Sequence, residues 1–217
     1  MSVVTIASSK GGAGKTTLCQ VLAGSLADQC CLVVLDADPT EALSRWARSA
    51  YEGAPFEIIA EPDETRLAHL IGSKADAAAL VLIDTAGFGN RAATVAMTSA
   101  DAVLIPALAG EADVTEAEKT MRLVSGLAKA ARREIPAKVV FNRVRRTSLA
   151  RYAEAEIKAA QLERLSSTLS DLVAYGELSY SGKVPSTGTA ASEILRLLAE
   201  LSDLGWIPTS SRNAVKV

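Results

Sequence analysis

Residues 9–17, Ser-Lys-Gly-Gly-Ala-Gly-Lys-Thr-Thr, constrain this chain more than any other stretch. They follow an apolar run, Val3–Ala7, and precede a helix-like segment, Leu18–Leu26. A strand that empties into a glycine loop and then a helix start is an anion site. Gly11, Gly12 and Gly14 let the backbone approach a ligand because no Cβ stands in the way. The N–H groups of the loop, Ala13 included, then face phosphate oxygens, reinforced by the positive end of the helix. Lys15 reaches the terminal phosphates, Thr16 offers its hydroxyl to Mg2+, and Thr17 completes the nucleotide-facing set. One position departs from the ordinary pattern. Ser9 stands where such loops carry glycine, and a second lysine, Lys10, sits at the loop's front.

Short apolar runs alternate with helix-like stretches along the chain. Strands are expected at Val3–Ala7, Leu32–Asp36, Phe56–Ala60, Leu80–Asp84, Ala102–Pro106 and Lys138–Asn142. Helices are expected at Thr16–Ala27, Glu41–Ser49, Glu64–Ile71, Arg91–Ser99, Val114–Arg132, Leu149–Leu165 and Ala190–Leu204. The runs are apolar at nearly every position, as strands covered on both faces are. The alternation therefore predicts one α/β domain over 1–206, a mostly parallel twisted sheet with helices on both faces. The remainder, 207–217, reads as a loose tail.

Composition narrows the function classes. Aromatics make up 4% of the 217 residues, which disfavours a carbohydrate cleft. The three cysteines, Cys19, Cys30 and Cys31, show no disulfide framework or metal spacing and read as small core residues. The N-terminus enters a strand at once, without a signal design, and no apolar run approaches the length of a bilayer span. A cytoplasmic location is the expectation.

Ligands of such sheets collect at the carboxyl ends of strands. The second expected strand ends in Asp36-Ala37-Asp38-Pro39, the fourth in Asp84-Thr85-Ala86-Gly87, the sixth in Asn142-Arg143. Phosphoryl transfer to water requires charge neutralisation, Mg2+ and a positioned water. Asp84 occupies the place of a Walker B carboxylate and, with Thr16, is expected to hold the metal. Asp38 is the candidate to orient the attacking water, with Asp36 supporting the metal shell. Lys10 has two readings: a solvated lysine beside an acidic ligand, or a cation that reaches the ATP of a second subunit, like an arginine finger.

Lys10–Thr17, Asp36–Pro39 and Ile83-Asp84-Thr85 together resemble the ParA/MinD family of deviant Walker ATPases. The resemblance extends to Ile105-Pro106, to Asn142-Arg143 and to Tyr175-Gly176-Glu177 with Gly182-Lys183-Val184-Pro185. It implies a P-loop fold, ATP and ADP as ligands, an ATP-sandwich homodimer with Lys10 crossing to the partner's phosphates, and an adenine contact at Asn142. By length the chain is similar to the small ParA proteins without an N-terminal helix-turn-helix domain. Those ride on the nucleoid and are stimulated by a ParB-like partner. Two departures bear on switching: Thr85-Ala86-Gly87 after the Walker B Asp, and Thr40 where Gln is common.

Charge is unevenly distributed. Residues 119–151 hold ten basic residues and one acidic residue, a net +9, against 13 basic and 24 acidic elsewhere, a net −11. A block this basic is expected to bind DNA phosphates independently of sequence. The candidates are Arg132, Arg133, Arg145, Arg146 and Arg151, with Lys183 from a second segment; Arg143 serves the base or a dimer interface. Pairing with the acidic remainder is the competing expectation.

The expected function is a ParA-type ATPase that dimerises on ATP, binds DNA without sequence preference and drives partition or positioning of DNA or other cargo. Alternatives are a MinD-like membrane-cycling ATPase, a metabolic enzyme of the same fold, and a module that holds ATP without turning it over. Paired ligand cysteines for an iron–sulfur function are missing. His69 reads as structural. The stripe Ile194, Leu197, Leu198, Leu201 and Leu204 reads as packing against the sheet rather than as a membrane face.

Overall fold

Six expected strands and one unexpected strand assemble into a seven-stranded sheet in a computed structural model describing residues 1–87, 89–145 and 155–209. The strands are β1 (Ser2–Ile6), β2 (Leu32–Asp36), β3 (Glu57–Ala60), β4 (Leu80–Asp84), β5 (Ala102–Leu108), β6 (Ala137–Val144) and β7 (Arg164–Ser170). Their order is β3-β2-β4-β1-β5-β6-β7, and every pairing is parallel. The helices are α1 (Lys15–Leu26), α2 (Ala42–Ser49), α3 (Glu64–Ala77), α4 (Arg91–Ser99), α5 (Glu111–Ala131), α6 (Val173–Ser181) and α7 (Gly188–Asp203). The expected α/β architecture is the observed one.

Strand alternation explains the continuous apolar runs. Val4 and Ile6 of β1 and Leu80 and Leu82 of β4 point into a core shared with α1, α2, α6 and α7. Val3, Val81 and Ile83 point to the other face, where α3 and α4 lie. A third cluster joins β5 and β6 to α4 and α5. Both faces of each central strand are thus buried, so period-2 alternation places apolar residues at every position.

The register brings chemistry to one edge. β2 and β4 pair Leu32 with Leu80 through to Asp36 with Asp84, and β4 pairs Asp84 with Ile6 of β1. Two carboxylates and the mouth of the glycine loop therefore end level with one another. The loop mouth is fastened by Thr85, whose buried hydroxyl donates to the Ile6 carbonyl at 2.9 Å.

Several expectations change. The helix expected at Leu149–Leu165 lies partly outside the described residues; residues 155–159 are helical, and β7 begins at Arg164. The β7 sequence, Arg-Leu-Ser-Ser-Thr-Leu-Ser, buries only Leu165 and Leu169, so it shows little apolar signal. Being an edge strand, its outward N–H groups need partners. Helix α7 supplies them: Glu200 accepts from Ser166 N at 2.7 Å and Ser167 N at 2.8 Å, and Glu193 from Ser170 N at 3.0 Å. Helix α6 was also unexpected. Its end at Gly182 adopts φ 65, and a Cβ there would run into the Ala50 carbonyl. The Trp46 Nε1–H of α2 donates to the Leu178 carbonyl of α6 at 2.8 Å, closing the contact.

Most of the expected stripe packs inward: Ile194, Leu197 and Leu201 of α7 are buried in the core and Leu198 packs against it, whereas Leu204, just past the helix end, is exposed. Ile207, assigned to the tail, is buried beside Trp206, whose carbonyl accepts the Ser2 hydroxyl at 2.8 Å. Core packing thus runs past the expected boundary at 206. Cys19 is buried as expected, but Cys31 is exposed, and His69 lies on the exposed face of α3. Among the described residues no helix is long and apolar enough to cross a membrane.

Candidate functional site

The loop after β1 is shaped to take an anion. Gly14 caps α1 with φ 89, and a Cβ there would run into the Asn142 side-chain amide. Helix α1 has no side-chain cap and no acidic residue in its first turn, so its leading N–H groups are free for a ligand. Lys15, at the first helical position, is buried, and its Nζ lies 3.4 Å from the Lys10 carbonyl. Thr16 and Thr17 follow on the same turn. Asn142 arrives from the end of β6, 129 residues away, and donates to the Ala13 carbonyl at 3.2 Å. Its Oδ1 accepts Arg143 N at 2.9 Å, so Asn142 braces the loop from the adjoining strand.

The three aspartates at the strand ends have different surroundings. Asp36 is fully buried with both oxygens occupied: Oδ1 accepts Asp38 N at 3.3 Å and Oδ2 accepts Ser44 N at 2.8 Å. It thereby caps α2, whose own N-cap residue, Glu41, makes no side-chain bond. Asp36 is thus spent on a turn and a helix start rather than left open toward a metal. Asp38 is half-buried, and Thr40 N donates to its Oδ1 at 2.8 Å. Asp84 is fully buried and neither carboxylate oxygen has a hydrogen-bond partner.

Electrostatics single out Asp84. Burial raises its carboxyl to about 7. The Thr16 hydroxyl is close enough to draw it back down without closing a hydrogen bond, Asp36 and Asp38 add to the rise, and the Lys15 ammonium opposes it. Burial likewise raises Asp36, with Ser44 opposing. An orphaned pair of buried oxygens beside a threonine hydroxyl fits a hard cation. Among the described residues no group of three or more His, Cys, Asp or Glu gathers for a metal. Asp84 and Thr16 would therefore hold Mg2+ with the nucleotide's phosphates and waters completing its shell.

The front of the loop is tied to α5. Lys10 Nζ lies 2.8 Å from Asp113 Oδ2, and Ser9 Oγ donates to Glu116 Oε2 at 2.7 Å. Beside the loop, a cavity of about 380 Å³ is lined by Thr17, Asn142, Arg143, Asp171, Tyr175 and Ser179 among others. Sequence reasoning overlooked both Asp113 and Asp171. Each lies outside any motif and reaches the site only through the fold.

The basic block does not form one surface. Lys129, Arg132 and Arg133 lie where α5 ends, beside the start of β6, while Arg143 and Arg145 lie at the end of β6. The eight residues of β6 separate the two groups by roughly 26 Å. Arg133 donates to the Ala100 carbonyl at 2.6 Å and pairs with Asp101 at 3.1 Å. Arg145 and Arg143 share Asp171 at 2.6 and 3.4 Å, and Lys183 pairs with Glu52 at 3.3 Å. Lys119, Arg122 and Lys138 pair with Glu116, Glu118 and Glu163. Acids from outside the block thus neutralise much of it. Arg132 is exposed at the αL end of α5 with no ion pair among the described residues. Arg146 and Arg151 lie outside the described residues.

Comparisons with known proteins agree with this arrangement. The model of the VirC1 protein family matches residues 1–197. Protein ParA of Rhizobium radiobacter is 34% identical over 145 residues, 66% of this chain and 65% of that relative's length. The chain therefore aligns with somewhat less than two thirds of it. An ATP complex of McdA from Cyanothece superposes with a TM-score of 0.80 at 20% identity, covering 96% of this chain and 98% of the other. The septum site-determining protein MinD from Pyrococcus horikoshii, in complex with Mg-ADP, gives 0.76 at 18% identity, covering 94% and 97%. Those two likenesses speak to the fold, while the family match spans the loop, the level aspartates and β6 together: this chain belongs to the VirC1 protein family.

Proposed function

We propose that this chain is a Mg2+-dependent ATPase that cycles between an ATP-bound homodimer on DNA and an ADP-bound monomer, driving the partition or positioning of DNA or another cargo. One observation carries the reading: Asp84, buried with both oxygens unpartnered, lies level with a glycine loop that opens onto an uncapped helix start. That combination suits a metal–triphosphate and has no structural use of its own.

In this reading Gly11, Gly12, Ala13, Gly14, Thr16 and Thr17 surround the phosphates with backbone N–H and hydroxyl donors. Lys15 leaves the Lys10 carbonyl for the β- and γ-phosphates. Thr16 and Asp84 hold Mg2+, and Asp36 supports that shell indirectly by fixing the backbone of Asp38 and α2. Held there, Mg2+ would neutralise phosphate charge and order water. Asp38 orients the attacking water; its carboxylate is held by the Thr40 N–H. The water oxygen bonds to the γ-phosphorus, the bond to the β–γ bridging oxygen breaks, and ADP and phosphate leave. Lys10 supplies charge across the dimer to the partner's phosphates. The adenine occupies the 380 Å³ cavity, with Asn142 and Arg143 in its wall.

For DNA, exposed cations at the two ends of β6 act on phosphates rather than bases. Arg132 is available as it stands, whereas Arg133, Arg145 and Lys183 must exchange an acidic partner for a phosphate. The site of action is the cytoplasm, on the nucleoid, and a ParB-like protein stimulates turnover. An electrophoretic shift with nonspecific duplex DNA tests this at several salt concentrations with ATP and ADP. An ATP-favoured shift that weakens with salt is expected; equal or absent shifts in both nucleotides refute the DNA-bound dimer.

A further inference from the structure

Lys10 is held by a residue that belongs to no loop motif. Its ammonium lies 2.8 Å from Asp113 Oδ2, in the first turn of α5. The pair is asymmetric: the Lys10 side chain is 37% exposed, that of Asp113 only 9%. The other oxygen of Asp113 is buried without a hydrogen-bond partner. The positive end of α5 favours a carboxylate there, and Lys10 is its one charged partner among the described ion pairs. The neighbouring loop residue is fastened to the same helix face. Ser9 N donates to Thr120 Oγ1 at 3.1 Å and Ser9 Oγ to Glu116 Oε2 at 2.7 Å. Asp113, Glu116 and Thr120 are spaced three and four apart and thus share one stripe of α5.

We infer that Asp113 is a latch on Lys10, a positioning residue that keeps the ammonium inside its own subunit and holds unstimulated turnover low. The inference rests on the cross-subunit role proposed for Lys10. Delivering Lys10 to a second copy's phosphates breaks the ion pair and leaves a buried carboxylate with neither oxygen paired. Stripping one member from such a pair is costly, because the remaining charge has lost its compensation. The gain at the phosphates must exceed that cost, so Asp113 sets the threshold for delivery. The exposed side of the pair is the one that moves: Lys10 is a flexible chain at a glycine-rich bend, whereas Asp113 is built into a helix.

The test compares unstimulated ATP turnover in the wild type, Asp113→Asn, Asp113→Glu, Lys10→Ala and the Lys10→Ala/Asp113→Asn double variant. ADP affinity and thermal midpoint are measured on each. Asp113→Asn is expected to raise unstimulated turnover by about threefold to tenfold, as expected for release of one charge-assisted bond. Asp113→Glu, which keeps the charge, restores low turnover, and the double variant behaves as Lys10→Ala. ADP affinity is unchanged throughout, which a general disturbance of the loop would not allow. If Lys10→Ala lowers turnover while Asp113→Asn leaves it flat or reduced, the latch is wrong and the role of Lys10 stands. If the double variant turns over as fast as Asp113→Asn, the role of Lys10 falls and the latch with it. If Asp113→Asn fails to fold, Asp113→Ala takes its place: raised turnover that Lys10→Ala abolishes supports the latch, and flat or reduced turnover overturns it.

Discussion

Between β2, β4 and β1 the strands pair residue for residue without interruption, whereas between β6 and β7 the register slips twice. The first region is buried on both faces and ends in the glycine loop and two level aspartates. The second ends in exposed arginines, with Arg143 at φ 53 within the second slip, and its outer strand is held by glutamates from α7. A regular parallel ladder places its terminal residues by counting, so chemistry at its edge is rigidly set. A slipped edge pair places its residues by side-chain ties, and its geometry depends on polar partners. The contrast assigns the phosphate end to backbone regularity and the arginine end to exchangeable ion pairs.

The largest effect should come from the regular half. Leu82 is fully buried in β4, and Leu82→Ala should cost about 2–5 kcal/mol by leaving a cavity that close packing cannot fill. Urea unfolding measures it, and a loss below about 1 kcal/mol would mean that this half yields more readily than its ladder implies. Next is Lys15→Ala, which should weaken ATP binding by more than about tenfold because a charge-assisted contact to phosphate is lost. Titration calorimetry decides it, and unchanged affinity would remove the phosphates from this end of the sheet.

Glu193→Ala probes the slipped half. Glu193 accepts from Ser170 N, Ser170 Oγ at 2.6 Å and the Tyr175 hydroxyl at 2.9 Å. Its removal orphans those donors and should cost about 1–3 kcal/mol, with the cavity beside α6 loosened and the phosphate end untouched. The same urea series, paired with inorganic-triphosphate binding, reads both. A matching loss of triphosphate affinity would show that the halves are not independent.

The last expectation is a pH dependence confined to the regular half, gradual at about 1.4 kcal/mol or less per pH unit. Burial raises Asp84 to about 7, so between about pH 4 and 7 the native chain holds a proton that the unfolded chain does not. Stability of the metal-free protein should therefore fall as pH rises through that window. The raised Asp36 acts in the same direction. For Mg2+ the sign reverses: below pH 7 a proton competes with the cation at Asp84, so Mg2+ affinity in the presence of ADP should fall by up to about tenfold per pH unit. Asp84→Asn should abolish the Mg2+ dependence and reduce the stability dependence to the share of Asp36, and undiminished persistence of either would place the main titrating group elsewhere.

Much of the regular half was legible beforehand. β2 and β4 begin and end where expected, because a strand buried on both faces shows an unbroken apolar run bounded by polar residues. The loop residues and Asp84 were legible for a related reason: glycine spacing and a strand-terminal Asp are local features that no distant contact has to create. β7 was not legible, since its face toward water and its capped edge leave only two buried leucines in seven residues. The pairing of the basic block was not legible either, for a physical reason. Summed charge along a chain says nothing about which acids the fold will bring alongside, and here Asp101, Glu163 and Asp171 come from other elements.

By itself, the sequence determined the alternation of elements, the phosphate-shaped loop and the candidate aspartates, because turn chemistry and periodicity act over a few residues. Only the tertiary structure decided which aspartate is left unpartnered: parallel register sets Asp36 and Asp84 side by side, and the start of α2 then consumes one and spares the other. It also decided that Lys10 is not free. Asp113 lies 103 residues away, and only the packing of α5 beside the loop gives that lysine a partner.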